Sequence, residues 1–121
     1  IVDKYIIEEQ WSPEQIVGDF VDHISDIYSM GVLVFQLFTG RTPFPAANIL
    51  AHHQFSPPPH PTTINKAIPV AVGDVILKTL EKKREDRYQD AATFARDLKA
   101  TLKGDNQSVE VGELVLEEGQ V

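Results

Sequence analysis

The chain has 121 residues, 42% of them hydrophobic and 24% charged, a balance that fits one small soluble domain and excludes wholesale disorder. The net charge of −7 disfavours a nucleic-acid partner, because an acidic surface repels a phosphate backbone. No cysteine is present, which excludes disulfides, thiolate metal sites and a cysteine nucleophile.

Residues 1–10, IVDKYIIEEQ, combine a short β-prone run with acids. The chain starts at Ile1 with no visible signal peptide, and it is expected to be part of something longer. Trp11 to Gly18 (WSPEQIVG) reads as a loop entering a short helix, with Ser12 as N-cap and Pro13 as first helical residue. Asp26 to Thr39 is the strongest helix. Its apolar residues lie all round it, which predicts burial on every side. It is too short to span a bilayer, which needs ~20 residues. Gly40 and Pro43 stop it.

A second helix is expected over Ala46 to Gln54. The SPPPHP stretch (Ser56 to Pro61) must then be extended or turning, since proline lacks the donor that a helix needs. A third helix opens at Pro69 and is expected to run to about Lys83, with Val72, Val75, Ile76, Thr79 and Leu80 in one stripe. A fourth is capped by Asp90 and places Phe94, Ala95, Leu98 and Leu102 on one face, ending at Gly104. Residues 104–121 hold five acids and no Lys or Arg. This tail therefore carries −5 and is expected to be a flexible acidic extension. The fold class read from this pattern is mainly α, with helices packed around a buried central helix.

Four motifs follow one another: SPEQ (12–15), SDIYSMGVLVFQLFTGRTPF (25–44), PPPHP (57–61) and EDRYQDAATFARDL (85–98). This order resembles the lower part of the C-terminal lobe of a eukaryotic-type protein serine/threonine kinase, in the spelling used by its bacterial members. The resemblance covers about residues 10–102. It implies that residues 1–103 are the end of an activation segment plus the helices that follow it.

The resemblance also assigns roles. The glutamate of the S-P-E motif, here Glu14 after Pro13, would pair with Arg87. A buried carboxylate needs a partner, and a planar guanidinium can grip it with two bonds. Asp26 would cap the central helix and accept hydrogen bonds from a catalytic loop. Gly31 costs ~1 kcal/mol inside a helix, and its use would be the close approach of another group. Gln10, Trp11 and Ser12 would belong to the substrate-side loop.

The same resemblance shows what this sequence lacks. No G-x-G-x-x-G, H-R-D or D-F-G occurs, so no catalytic, nucleotide-binding or metal-binding residue is expected here. ATP and Mg²⁺ would belong to the parent kinase. So would the expected partners: the N-lobe and catalytic loop of the same domain, and a protein substrate. A cytoplasmic location is expected. Within the covered part, IIEEQW (6–11) stands where the family has G-T-x-x-Y-x, with Ile7 for the threonine and Gln10 for the tyrosine. That departure keeps a second reading open, a pseudokinase or non-catalytic helical interaction module.

Three weaker signals carry less. His52 and His53 are adjacent, so on a helix they point ~100° apart and do not share an ion. Pro58 to Pro61 fits the P-x-x-P of SH3-type ligands. KKRED (82–86) reads as a solvated, mixed-charge helix end. An all-round apolar helix in so short a chain predicts an exposed patch and a tendency to self-associate.

Overall fold

A computed structural model describes residues 10–104 of the chain. Among them are five α-helices and two short 3-10 turns, with no strand. Residues 1–9, which hold most of the departing IIEEQW stretch, and the acidic tail beyond Gly104 lie outside the described residues.

α1 (Pro13–Ile16) starts on a reciprocal cap. Ser12 Oγ accepts from the Gln15 amide at 3.3 Å while Gln15 Oε1 accepts from the Ser12 amide at 2.9 Å. Gly18 leaves it with φ +74. α2 (His23–Thr39) is the central helix and is closed by Gly40 in the left-handed region. α3 (Ile49–Phe55) follows a left-handed Asn48 and lies against α1. The proline stretch then leads, through a 3-10 turn at Pro61–Thr63, to α4 (Val70–Thr79). α5 (Ala91–Gly104) starts where Asp90 Oδ1 accepts from the Thr93 amide at 2.7 Å.

α4 packs on α2 and on α5. One apolar cluster joins Tyr28, Val32 and Phe35 of α2 to Ile68, Val72, Ile76 and Leu80. A second joins Ile27 to Val75, Tyr88 and Phe94. Gly31 lies where α2 and α4 meet: a Cβ placed there would sit 1.9 Å from Thr79 Oγ1 and 2.7 Å from Thr79 Cβ.

The structure corrects several sequence expectations. α2 begins at His23, not Asp26, because Asp22 caps it: its Oδ1 accepts from the Ile24 amide at 3.0 Å, and Ser25 Oγ accepts from the Asp22 amide in return. Asp26 therefore sits inside the first turn, where a negative charge still favours the helix dipole. Its side chain is exposed and accepts no hydrogen bond among the described residues. Nor is α2 covered on every side. Leu33 is 45% exposed and Leu37 81%, and their spacing of four puts both on one face.

α3 starts three residues later than expected, after the left-handed Asn48. α4 ends at Thr79 because the next turn is claimed by another group. The carbonyls of Glu81 and Lys82 accept from the Arg87 guanidinium at 2.7 and 3.1 Å. Ala95 is exposed, so only Phe94, Leu98 and Leu102 of the expected α5 face turn inward. KKRED is not a solvated helix end: it is a turn whose Lys82 and Arg84 both bind inward.

Candidate functional site: a carboxylate clasp beneath the central helix

The SPEQ and EDRYQ motifs, far apart in sequence, meet under the start of α2. Glu14 Oε1 accepts from Arg87 Nη2 at 2.7 Å, and Glu14 Oε2 from Arg87 Nη1 at 2.8 Å. The fork is parallel and bidentate, the arrangement only arginine can make. Glu14 is 5% exposed and the Arg87 side chain 0%. Arg87 uses all five of its donors. Besides the two bonds to Glu14, Nη1 reaches the Ile24 carbonyl at 3.1 Å, Nε reaches Glu81 and Nη2 reaches Lys82. Its guanidinium lies 5.2 Å from the centroid of the Tyr28 ring.

Two further groups complete the clasp, and sequence reading missed both. Ser25 Oγ donates to Glu14 Oε2 at 2.5 Å. Arg84 grips Asp22 with both nitrogens at 2.8 Å and reaches Glu14 Oε2 at 3.4 Å. Arg84 stands three residues before Arg87 in the mixed-charge KKRED run, and Asp22 four residues before Asp26. Each is a charged residue beside a more conspicuous one. The available signal was the capping pattern Asp22-x-x-Ser25.

The electrostatics follow from these contacts. Burial alone would push the Glu14 carboxyl up, but the hydrogen bonds from Arg87 and Ser25 outweigh it and hold the group at about 2. The Arg84 fork and the Ile24 amide hold Asp22 well below the usual carboxylate range.

A second buried polar group flanks the clasp. Lys82 Nζ donates to the His52 carbonyl at 3.0 Å and lies 4.6 Å over the Phe44 ring. Burial, with Arg87 nearby, pulls its pKa down to about 8. Tyr28 Oη and His53 Nδ1 are 2.8 Å apart.

The remaining candidate residues are placed as follows. Pro13 is the first residue of α1. The Gln10 carbonyl accepts from Ser29 Oγ, which ties the segment before α1 to α2. Trp11 is half-buried, and its indole N–H is buried without an acceptor among the described residues. Ser12 is fully buried as the cap of α1. No group of three or more His, Asp or Glu among the described residues is placed to hold a metal ion. Among the described residues no helix is long and apolar enough to cross a membrane.

No protein-family model matches the chain. Known proteins do. The serine/threonine-protein kinase Pkn1 of Myxococcus xanthus is 44% identical over 98 residues, which is 78% of this chain and 14% of Pkn1. A probable serine/threonine-protein kinase of Clostridium acetobutylicum is 43% identical over 91 residues, 72% of this chain and 14% of that protein. PknB of Mycobacterium leprae is 41% identical over 91 residues, with the same two shares. The chain thus spans about a seventh of the length of these relatives. With the helical architecture, the identities place it: the chain belongs to the serine/threonine-protein kinase family of the bacterial type, as a helical segment of the kinase C-terminal lobe.

Proposed function

We propose that these helices form the scaffold and protein-docking surface of a serine/threonine kinase domain. The parent would transfer the γ-phosphate of ATP to a Ser or Thr hydroxyl of a protein substrate in the cytoplasm, with Mg²⁺ bound elsewhere in the domain. The 121 residues alone would not bind ATP or transfer phosphate. One observation carries this reading. The Glu14–Arg87 clasp ties the segment Gln10 to Ile16, which resembles the end of an activation segment, to the turn before α5. A clasp of that kind serves a loop that must be held at a fixed place for a substrate.

A specific sequence feature favours a second reading. Ile7 and Gln10 stand where the family has a threonine and a tyrosine, which fits a non-catalytic helical interaction module.

A chimera separates the two. The matching stretch of Myxococcus xanthus Pkn1 is replaced by residues 1–104 of this chain, and phosphotransfer is measured with labelled ATP. The kinase reading expects phosphorylation by the chimera and none by the isolated chain. A folded, ATP-binding chimera without phosphotransfer would support the second reading. Phosphotransfer by the isolated 121 residues would overturn the scaffold assignment.

A further inference from the structure

Arg84 holds more of the clasp than a surface arginine should. Its side chain is 28% exposed, so an ordinary ion pair there would contribute little. Three features set it apart from that default. It binds Asp22 through two parallel bonds at 2.8 Å, the geometry that restricts orientation as well as distance. Its main chain is fixed too, since the Arg84 carbonyl accepts from Gln89 Nε2 at 3.0 Å, while its guanidinium lies 5.7 Å from the Phe20 ring centroid. And it touches Glu14 at 3.4 Å and Ser25 Oγ at 3.3 Å, both of which also bind each other.

Asp22 is equally committed. The same oxygen that receives Arg84 Nη1 caps α2 through the Ile24 amide. Ile24 in turn offers its carbonyl to Arg87. Arg84 therefore sets Asp22, Asp22 sets the first turn of α2, and that turn sets Ser25 and the Ile24 carbonyl around Glu14 and Arg87. The cluster balances two carboxylates against two guanidiniums.

We infer that Arg84 is a positioning residue. Acting through Asp22 and Ser25, it fixes the depth and angle at which Glu14 meets Arg87, and hence the placement of α1 and of the Gln10–Ser12 segment before it. This goes beyond the proposed function and holds whether or not the parent phosphorylates anything.

The test uses the full chain and its only tryptophan, Trp11, which directly precedes the Ser12 cap. Near-ultraviolet circular dichroism of the native state reads the setting of Trp11, and urea unfolding reads stability. Arg84→Met is expected to change the native Trp11 band and to raise the unfolding equilibrium constant roughly tenfold, the low end for lost charge-assisted bonds. Asp22→Asn keeps a good cap but loses the charge. It should change the Trp11 band in the same way, and it carries the test if Arg84→Met does not fold. Arg84→Lys keeps the charge without the fork and should not restore the band. In a Glu14→Gln background the Arg84→Met effect should shrink at least several-fold. An unchanged Trp11 band in both Arg84→Met and Asp22→Asn, restoration by lysine, or additive losses with Glu14→Gln would each overturn the proposal.

Discussion

Gly31→Ala is the sharpest test of how α2 and α4 fit. In an open helix this change would stabilise by ~1 kcal/mol, since alanine is the better helix former. Here the new methyl would lie 1.9 Å from Thr79 Oγ1, 2.7 Å from Thr79 Cβ and 3.2 Å from Leu80 Cδ2. Thr79 is fully buried and its hydroxyl donates to the Ile76 carbonyl at 2.5 Å, so it has no free space into which to turn. The helices must part. Overpacking of this kind costs ~1–3 kcal/mol, and losing the Thr79 bond adds ~1 kcal/mol. Set against the helix gain, the net loss is ~2 kcal/mol, or on the order of 10 °C in Tm for a domain this size. Urea and thermal unfolding by far-ultraviolet circular dichroism measure it. Gly73→Ala is the internal control. Its methyl would meet the His60 ring at 2.3 Å, but that ring is the 25% exposed end of a side chain and can move outward at the loss of its contacts with Asp74 and Thr62. Its cost should be smaller than that of parting two helices. Thr79→Gly combined with Gly31→Ala should recover part of the loss. A Gly31→Ala variant as stable as the parent would refute the packing argument.

Three further outcomes follow from the same geometry. The folded pKa of Glu14, about 2, lies below its unfolded value of 4.5, so its stabilisation is complete above about pH 4.5 and is lost as pH falls towards 2. Glu14→Gln should remove up to ~3 kcal/mol at pH 7 and flatten that acid limb, read by unfolding across pH 2–6. Lys82 is also depressed, to about 8 from 10.5, so the unfolded chain holds the extra proton between those values and stability should rise with pH above about 8. Lys82→Met should abolish that rise of ~1–2 kcal/mol, measured by urea unfolding between about pH 7.5 and 9.5. The Leu33 and Leu37 face should drive association, so Leu37→Lys should lower the average mass seen by light scattering at high concentration without changing Tm by more than a few degrees.

The sequence carried the helices better than their ends. Helical periodicity and proline punctuation are local, so α1, α2 and α5 were legible from spacing and capping residues alone. The ends were set by side-chain contacts that periodicity does not report. Nothing near Leu80 reveals that Arg87 will take the Glu81 and Lys82 carbonyls and stop α4 at Thr79. The start of α2 was misread for a different reason. Asp26 matched a family pattern, whereas Asp22 and Ser25 satisfied the amides that a helix start leaves open. Calling α2 apolar all round was sound, but a pattern reports only what a helix could bury. Leu33 and Leu37 are left partly and largely uncovered among the described residues. Arg84 could not be singled out, because KKRED offers three adjacent cations and only the three-dimensional position of Asp22 selects one.

Why a chain would keep a buried ion pair here is a question of place more than of stability. Buried pairs roughly break even against apolar pairs of the same volume, because stripping water from two charges offsets most of their attraction. α1, however, has four residues, far too few to hold itself as a helix. Whatever fixes it must come from elsewhere in the fold. The sequence has no cysteine, and among the described residues no group of three or more His, Asp or Glu is placed to hold a metal ion. An apolar contact would hold α1 near α2 but leave it free to slide, since dispersion has no preferred direction. The clasp does not allow sliding. Arg87 has five donors and five acceptors arranged around it, three of them carbonyls of Ile24, Glu81 and Lys82 that a smaller or apolar side chain would strand. Any displacement of Glu14 breaks the fork, and any displacement of Arg87 unpairs a carbonyl. The cluster thus makes one position of the Gln10–Ile16 segment much cheaper than its neighbours.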